Sequence, residues 1–414
     1  MEENEVILVT GTGGVDLKRY SQLIADRSGE KMDIYYLEEL FGEEHRMART
    51  IVENPFLLGT LFHGSMAYLR EEISHSNAEK VMLVLRPSYH VAGHIVPNPF
   101  FVWERPELDV SIVIFLVEDY YHSLDDLADE RSDNPLVEGI DPLTYLNWRL
   151  MDLTLVLALR AKGLDVKIFG TKHSEEAWSR FAEMVAGEDY ITAYFGHSIT
   201  SLRRKSLREN TPIGDLDEVR DIEGTRKELE REFDEILFFE PSTIDERIMA
   251  LRGEEEILST RIERELRWPH EHNPQLREYR YPIDLMNDVF EESGFYDTSL
   301  LEREDYLRMM LSSIEAQMRL RDFHYVDQSD FVVTYRPTVL GKESSGSLAE
   351  MQRASSQGKV VLFAMDEEVA TEEERELFHK IRRGAFVSRV TVKAVTSKEQ
   401  LFRSVGGLLR SMWG

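Results

Sequence analysis

The sequence predicts an α/β protein in two domains, each a sheet of mainly parallel strands between helical layers. Three observations carry that expectation. The chain has 414 residues, more than one hydrophobic core normally serves, so two domains of about 200 residues each are the default. Near its start, the apolar run EVILVT (Glu5–Thr10) leads through a glycine-rich turn into a helical pattern. Near its end, Arg321–Asp366 reads as a helix end, a buried strand (Asp330–Tyr335), a Ser/Gly-rich loop (Gly341–Ser347), a short helix (Leu348–Gly358) and a second buried strand (Lys359–Ala364). Units of this kind belong to parallel sheets, whose ligands sit beyond the carboxyl ends of the strands.

Composition narrows the function. Hydrophobic residues make up 42% of the chain, enough for ordinary cores, and the formal charge is −28. That balance argues against wrapping nucleic acid or binding an acidic membrane surface, because both are polyanions. There is no cysteine, which excludes disulfides, thiolate–zinc sites and cysteine nucleophiles together. No apolar run reaches the ~18 residues that would suggest a membrane span. The start, MEENEVILVTG, enters a strand without a basic stretch, so no signal peptide is expected and the predicted location is the cytoplasm.

In the N-terminal half the first strand runs into Gly11-Thr12-Gly13-Gly14-Val15-Asp16-Leu17-Lys18 and a helix. Strand, glycine turn and helix together form the arrangement in which backbone N–H groups face a phosphate. A helical segment (Glu44–Ser76), strand VMLVL (Val81–Leu85), loop RPSYHVAGHIVPNP, strand Val110–Glu118, helix Leu143–Ala161 and strand Asp165–Phe169 follow. In this order of elements, residues 1–187 resemble the archaeal-type adenylate kinases. The resemblance implies a P-loop-kinase-like domain, with Gly11, Gly13, Gly14 and Lys18 as its nucleotide loop and ATP or another nucleotide as its ligand. The catalytic letters depart from the pattern. A working loop reads G-x-x-x-x-G-K-[ST], whereas here Asp16 and Leu17 stand at the sixth and seventh positions and Lys18 comes one place late. One helical step turns a side chain by ~100°, and Asp16 puts negative charge where phosphate would lie. Val84 stands where a metal-facing acid is expected, and His90 where an arginine is. The lid position, Asp125–Arg131, holds one arginine among four acids, while phosphoryl transfer needs several cations. The expectation is a kinase-shaped module without phosphotransfer. The bland account of its glycines is a tight strand-to-helix turn.

The helical stretch Thr171–Glu188 marks the expected boundary, with the second domain at 188–414. It opens with strand Tyr190–Phe195 and the loop Gly196-His197-Ser198-Ile199-Thr200. A polar, arginine-bearing segment (Leu202–Glu218), helix Glu223–Phe233 and strand Glu235–Pro241 complete a first β-α-β. A charged helical insertion, about 245–305, is too long for a simple connection. Helix Arg303–Arg321 then leads to Asp322, and after Asp366 come helix Thr371–Arg382, strand Ser388–Thr396 and helix Lys398–Met412.

Two carboxylates are the candidate chemistry: Asp322, eight residues before a buried strand, and Glu350, in the expected first turn of the following helix. The chain reads Asp322, Asp330, Tyr335 and Pro337, then Ser345, Gly346 and Glu350, then Ala354, Gln357, Gly358 and Lys359 before VVLF; upstream stands AYFGHSIT, Ala193–Thr200. In these two ordered stretches it resembles the nucleoside 2-deoxyribosyltransferases and related nucleotide N-glycosidases. The resemblance implies a second Rossmann-like, deoxyribosyltransferase-like domain acting on a nucleoside or nucleoside monophosphate without a required cofactor or metal, often as a homo-oligomer. Glu350 would be the nucleophile at C1′ and Asp322, with a raised pKa, the acid or base-orienting group. Tyr194, Gly196, His197 and Ser198 would form the loop over sugar or base, and Ser344, Ser345 and Gly346 the 5′-phosphate site. Where members carry small residues after the glutamate, this chain has Gln352 and Arg353. Each residue has a plainer account. A glutamate in a first helical turn favours the dipole, Asp322 can end a helix, Asp327 and Asp330 suit a turn before a strand, and Arg203 and Arg204 suit a solvated face. Water or a second base as acceptor, and a non-catalytic sensor or scaffold of two inactive domains, all remain open on the sequence.

Overall fold

The computed structural model of the chain describes residues 4–40, 56–91, 94–102, 108–119, 123, 142–209, 211–243, 300–339, 342–385 and 392–413. The expected lid at Asp125–Arg131 and the insertion as far as residue 299 lie outside these. The chain forms two compact units, one of Met1–Glu188 with Pro274–Ile314 and the other of Asp189–Asn273 with Glu315–Gly414, so that the helix Leu300–Gln328 is divided between them at residue 314. Each unit is an α/β fold on a five-stranded parallel sheet, so the expected class, two Rossmann-like domains, is the observed one. Among the described residues, no helix is long and apolar enough to cross a membrane.

The N-terminal sheet is built from β1 (Glu5–Gly11), β2 (Met32–Tyr36), β3 (Lys80–Val84), β6 (Val110–Val117) and β7 (Asp165–Gly170), in the order β2-β3-β1-β6-β7. Its inner strands are uninterrupted apolar runs because parallel strands are covered on both faces; Ile7, Leu8, Val9, Met82, Leu83 and Ile114 are fully buried. The helices are α1 (Leu17–Arg27), α2 (Leu37–Leu40), α3 (Phe56–His75), α4 (Pro99–Val102), α5 (Pro142–Ala161) and α6 (Glu175–Val185). α1 packs on α6, with Tyr20 and Trp178 stacked at 5.3 Å. α4 bridges α3 and α5 in a second helical layer. The stretch expected as a loop over Arg86–Pro99 contains a hairpin, β4 (Ser88–Val91) with β5 (His94–Pro97). Its residues alternate too briefly to stand out from a loop.

In the C-terminal unit, β8 (Ile191–Gly196), β9 (Ile236–Phe239), β10 (Phe331–Tyr335), β13 (Val360–Ala364) and β14 (Val392–Val395) lie in the order β14-β13-β10-β8-β9. Read along the chain, this is second–first–third–fourth–fifth, a doubly wound order whose direction reverses between β8 and β10. Crossovers leave those two strands on opposite sides, the kind of reversal at which open α/β sheets place their ligands. The helices are α7 (Ile199–Glu209), α8 (Asp217–Glu232), α9 (Leu300–Gln328, in this unit from Glu315), α10 (Ser345–Ser356), α11 (Glu372–Ala385) and α12 (Lys398–Trp413). Three differences from the expected elements matter. The polar stretch from Leu202 is helical, inside α7. α9 continues through Asp322 to Gln328 rather than ending at Arg321. A small hairpin, β11 (Thr338–Val339) with β12 (Lys342–Glu343), replaces part of the Ser/Gly-rich loop, and α10 starts at Ser345, which moves Glu350 from the first turn to the second.

Candidate functional site

The site stands at the carboxyl ends of β8 and β10, and Glu350 is its centre. Ser344 caps α10, accepting hydrogen bonds from the Ser347 amide (3.4 Å) and hydroxyl (3.1 Å). With the helix starting there, the face carrying Ser347, Glu350, Met351 and Ala354 is the buried one. A Cβ built on Gly196, the last residue of β8, would lie 2.9 Å from Glu350 Oε2 and 2.9 Å from the Tyr194 ring; one on Gly346 would lie 3.9 Å from Oε1. The carboxyl is thus threaded between two glycines, and at Gly196 the missing side chain is what admits it. Glu350 Oε2 and the Tyr194 hydroxyl are buried, and neither has a hydrogen-bond partner of ordinary geometry. A buried, unsatisfied carboxyl oxygen costs free energy unless a ligand or a proton meets it.

Asp322 belongs to the same site. It lies in α9, where Arg321 donates to its Oδ1 from Nε (3.0 Å) and Nη2 (2.6 Å), and Arg321 Nη2 also donates to the Pro241 carbonyl (2.7 Å). Burial pushes the Glu350 carboxyl up to about 8, and the Asp322 charge adds to the rise; the Tyr194 hydroxyl and Arg321 oppose it. Burial, then Glu350 and Asp322, also raise the Tyr194 phenol. Asp322 and Glu350 therefore feel one another's charge. The shift is at Glu350, buried beside the charge of Asp322, while Asp322 itself pairs with the Arg321 guanidinium. An aromatic wall backs the pair, Tyr194 against Tyr325 (6.4 Å) and Tyr325 stacked on Phe239 (5.4 Å).

The remaining expected residues divide by location. His197 and Ser198 are buried at the end of β8, where the His197 ring lies 6.2 Å from Phe195 and the Ser198 hydroxyl has no partner. Ser345 and Gly346 are exposed at the start of α10. Asp327 and Asp330 are structural. Asp327 takes a bidentate pair from Arg353 (2.6 Å each), and Asp330 accepts from the Thr192 amide (2.7 Å) at the amino end of the sheet. Arg203, expected on a solvated face, is buried, whereas Arg204 is exposed. Arg321 was not among the expected residues; its place beside Asp322 in the sequence was the available signal. So was Arg336 missed. It sits in left-handed backbone (φ 45°) at the end of β10, buried between Asp221 (3.2 Å) and Glu374 (3.1 Å). Tyr335 and Lys398 also reach Asp221, at 3.0 and 2.9 Å. This network pins the strand end beside the site. At the end of β9, burial raises Glu240 to about 8 against the pull of Arg226, which pairs with Glu223, Glu230 and Glu240 at 2.8–3.1 Å.

The glycine turn after β1 is built differently. The Gly13 amide donates to Asp152 Oδ2 (3.2 Å), and the Gly13 carbonyl accepts from the Tyr145 hydroxyl (3.1 Å). Ser88 donates to Asp152 Oδ1 (2.5 Å) and accepts from Trp148 Nε1 (3.0 Å). A Cβ on Gly13 would fall 2.5 Å from the Trp148 ring, and one on Gly14 (φ 84°) 2.6 Å from the Ser123 carbonyl. Burial raises Asp152 to about 8, with Ser88, Gly13 and Arg86 opposing. Asp16 is the N-cap of α1, accepting from the Arg19 amide (3.0 Å), and Lys18 pairs with Glu39 (2.5 Å) with both side chains more than half exposed. Val84 is core, and His90 is buried 5.7 Å from the Trp148 ring. Among the described residues, no group of three or more His, Asp or Glu side chains is placed to hold a metal ion.

No family model matches the chain, and no curated protein matches it. Among the solved structures that match is the crystal structure of TT1252 from Thermus thermophilus, 15% identical, with a TM-score of 0.30, covering 45% of this chain and 98% of that one. At that level the description of the fold rests on this chain's own strand order and register.

Proposed function

We propose that the C-terminal unit binds a nucleoside or nucleoside monophosphate and hydrolyses or transfers its N-glycosidic bond, in a cytoplasmic protein of nucleotide metabolism. The supporting observation is the pair of unequal carboxyls at the strand-order reversal: Glu350 buried against Gly196 and Tyr194 and raised by that burial, Asp322 held by Arg321. Two carboxyls in unlike environments divide acid and base work. Cleavage builds positive charge at C1′ and negative charge on the departing base. In this reading the Glu350 proton passes by way of Asp322 to the leaving nitrogen. The Glu350 carboxylate that remains bonds to C1′ as the C1′–N bond breaks. Water or a second base then attacks C1′, releases Glu350 and returns the proton. Tyr194 orients Glu350, the Tyr325–Phe239 wall flanks the base, and the exposed start of α10 at Ser345 and Gly346 suits a 5′-phosphate. No cofactor is needed for these steps.

The test is incubation with a panel of nucleosides and their monophosphates, reading free base by chromatography. Release that disappears in a folded Glu350→Ala variant supports the reading. No release from any member of the panel would favour the second reading, a non-catalytic nucleotide sensor or scaffold. One observation favours that alternative: the N-terminal glycine loop is filled by Asp152 and Trp148 rather than open to a phosphate. A thermal shift with millimolar ATP and Mg²⁺ tests this unit by itself. The filled loop predicts no shift.

A further inference from the structure

We propose that Thr334 is a positioning residue for Glu350, its hydroxyl being the donor that the Glu350 carboxylate takes up when it has no proton of its own; the inference rests on the reading of Glu350 as the nucleophile. Strand register places the two together. Ala193 and Phe195 of β8, Val333 and Tyr335 of β10, and Leu362 and Ala364 of β13 belong to the hydrophobic core on one face of the sheet. Side chains alternate along a strand, so Tyr194, Gly196, Thr334 and Phe363 rise from the other face, where Glu350 meets Gly196. Gly196 and Thr334 are register partners, and so are Thr334 and Phe363. Neighbouring strands lie ~4.8 Å apart. Thr334 therefore stands directly beside the glycine whose Cβ position is 2.9 Å from Glu350 Oε2.

The chemistry along this row fits the role. Thr334 is fully buried, and neither its hydroxyl nor Glu350 Oε2 has a hydrogen-bond partner of ordinary geometry among the described residues. A buried hydroxyl left unpaired costs free energy, and valine would fill the same space without that cost. The other groups around Glu350 are engaged or of the wrong kind. Arg321, from α9, donates to Asp322 and to the Pro241 carbonyl. The Ser347 hydroxyl, earlier in α10, is bonded to Ser344. Tyr194 and Arg321 favour the ionised carboxyl, while burial and the Asp322 charge oppose it. From β13 the row presents Phe363, which carries neither donor nor charge. When one Glu350 oxygen bonds to C1′, the other is left to be satisfied, and rotation of Thr334 about its Cα–Cβ bond aims a hydroxyl along the row. A β-branched side chain has few such rotamers to choose from, so little entropy is lost in the aiming.

The test is a pH titration of the full chain carrying carboxyl-¹³C glutamate, followed by NMR, with Glu350→Gln identifying the resonance. Losing a donor to the charged form raises a carboxyl pKa. Thr334→Val should therefore move the Glu350 midpoint up by about one pH unit, the size of one hydrogen bond to a charged group. Thr334→Ser keeps the hydroxyl and should titrate with the wild type, and Thr334→Ala replaces the valine variant should that fail to fold. On the best substrate of the nucleoside panel, Thr334→Val should lower kcat roughly tenfold with KM little changed, as for a contact made only on the way to the transition state, and Thr334→Ser should restore it. An unchanged midpoint in folded Thr334→Val or Thr334→Ala, or an equal shift in Thr334→Ser, overturns the proposal. Absence of base release from the whole panel counts against the glycosidic reading instead, and the titration still decides whether Thr334 serves Glu350.

Discussion

Two strand-to-helix turns in this molecule pose the same physical problem and answer it in opposite ways. After β1 the backbone amide of Gly13 points at a carboxylate that the chain supplies itself, Asp152, and the Trp148 ring closes the space above. After β8 the bare Gly196 also faces a carboxyl of the same chain, Glu350, but that carboxyl ends in an oxygen with no partner. Both acids are raised to about 8 by burial. What separates them is satisfaction: both oxygens of Asp152 accept a hydrogen bond, from Ser88 and the Gly13 amide, whereas Glu350 has only the Tyr194 hydroxyl beside it and its Oε2 makes no bond of ordinary geometry. A satisfied buried acid is architecture, while an unsatisfied one stores a cost that a ligand can relieve.

The comparison can be broken most sharply at Glu350. Glu350→Gln keeps the shape and removes the titrating proton, so base release should fall roughly a thousandfold, measured as kcat/KM on the best substrate of the panel. For the wild type, kcat/KM should hold below pH ~8 and fall above it, because the proton that leaves with the base is lost as pH rises through the folded value. Stability follows the same proton. A carboxyl whose folded value is raised contributes stability that is fully present below its ordinary pKa of about 4.5 and is lost as pH climbs to about 8. Urea unfolding should therefore show Glu350→Gln gaining on the wild type, by an order of a few kcal/mol, between pH 5 and pH 8. A constant difference across that window would mean that Glu350 is ionised in the folded protein.

At the glycines the two turns should fail in different currencies. Gly196→Ala pushes against Glu350 and Tyr194 and should lower base release by about a hundredfold, the usual result of a catalytic group displaced by ~1 Å. Gly13→Ala pushes against Trp148 and should leave base release alone while destabilising the N-terminal unit by ~1–3 kcal/mol, read as a lower Tm. If Gly13→Ala melts like the wild type, Trp148 does not fill the loop. Smaller still, Ser344→Ala removes the cap of the helix that carries Glu350 and should cost about 1 kcal/mol. Lys18→Ala, which removes one side of an exposed ion pair, should change stability by less than ~0.5 kcal/mol; a larger loss would mean that this lysine does more than pair with Glu39.

How much of this was readable beforehand depended on how each feature is encoded. β1, β3, β6, β10 and β13 are continuous apolar runs, legible because central parallel strands are covered on both faces. β2 was not, since MDIYY is half-buried along its length and carries Asp33. The hairpins β4–β5 and β11–β12 are too short for their alternation to register. In the site, Tyr194, Gly196, Glu350 and Asp322 lie near one another at the carboxyl end of β8, while Ser344 is used as a cap. The pairing of Asp322 with Arg321 was missed because adjacent residues on a helix do not ordinarily face each other; here the long guanidinium folds back to its neighbour. The Asp152 plug could not be read at all, since 139 residues separate it from Gly13 and only the closed sheet brings them together.

A loop whose backbone amide is already bonded to a side chain of its own chain is filled whatever the surrounding solution contains. Ordinary ligand-binding domains gain or lose stability as metabolite levels move, because occupancy follows concentration. With Asp152 tethered in place, the N-terminal unit is in effect permanently occupied, so its melting behaviour should be the same in a starved extract and in a replete one.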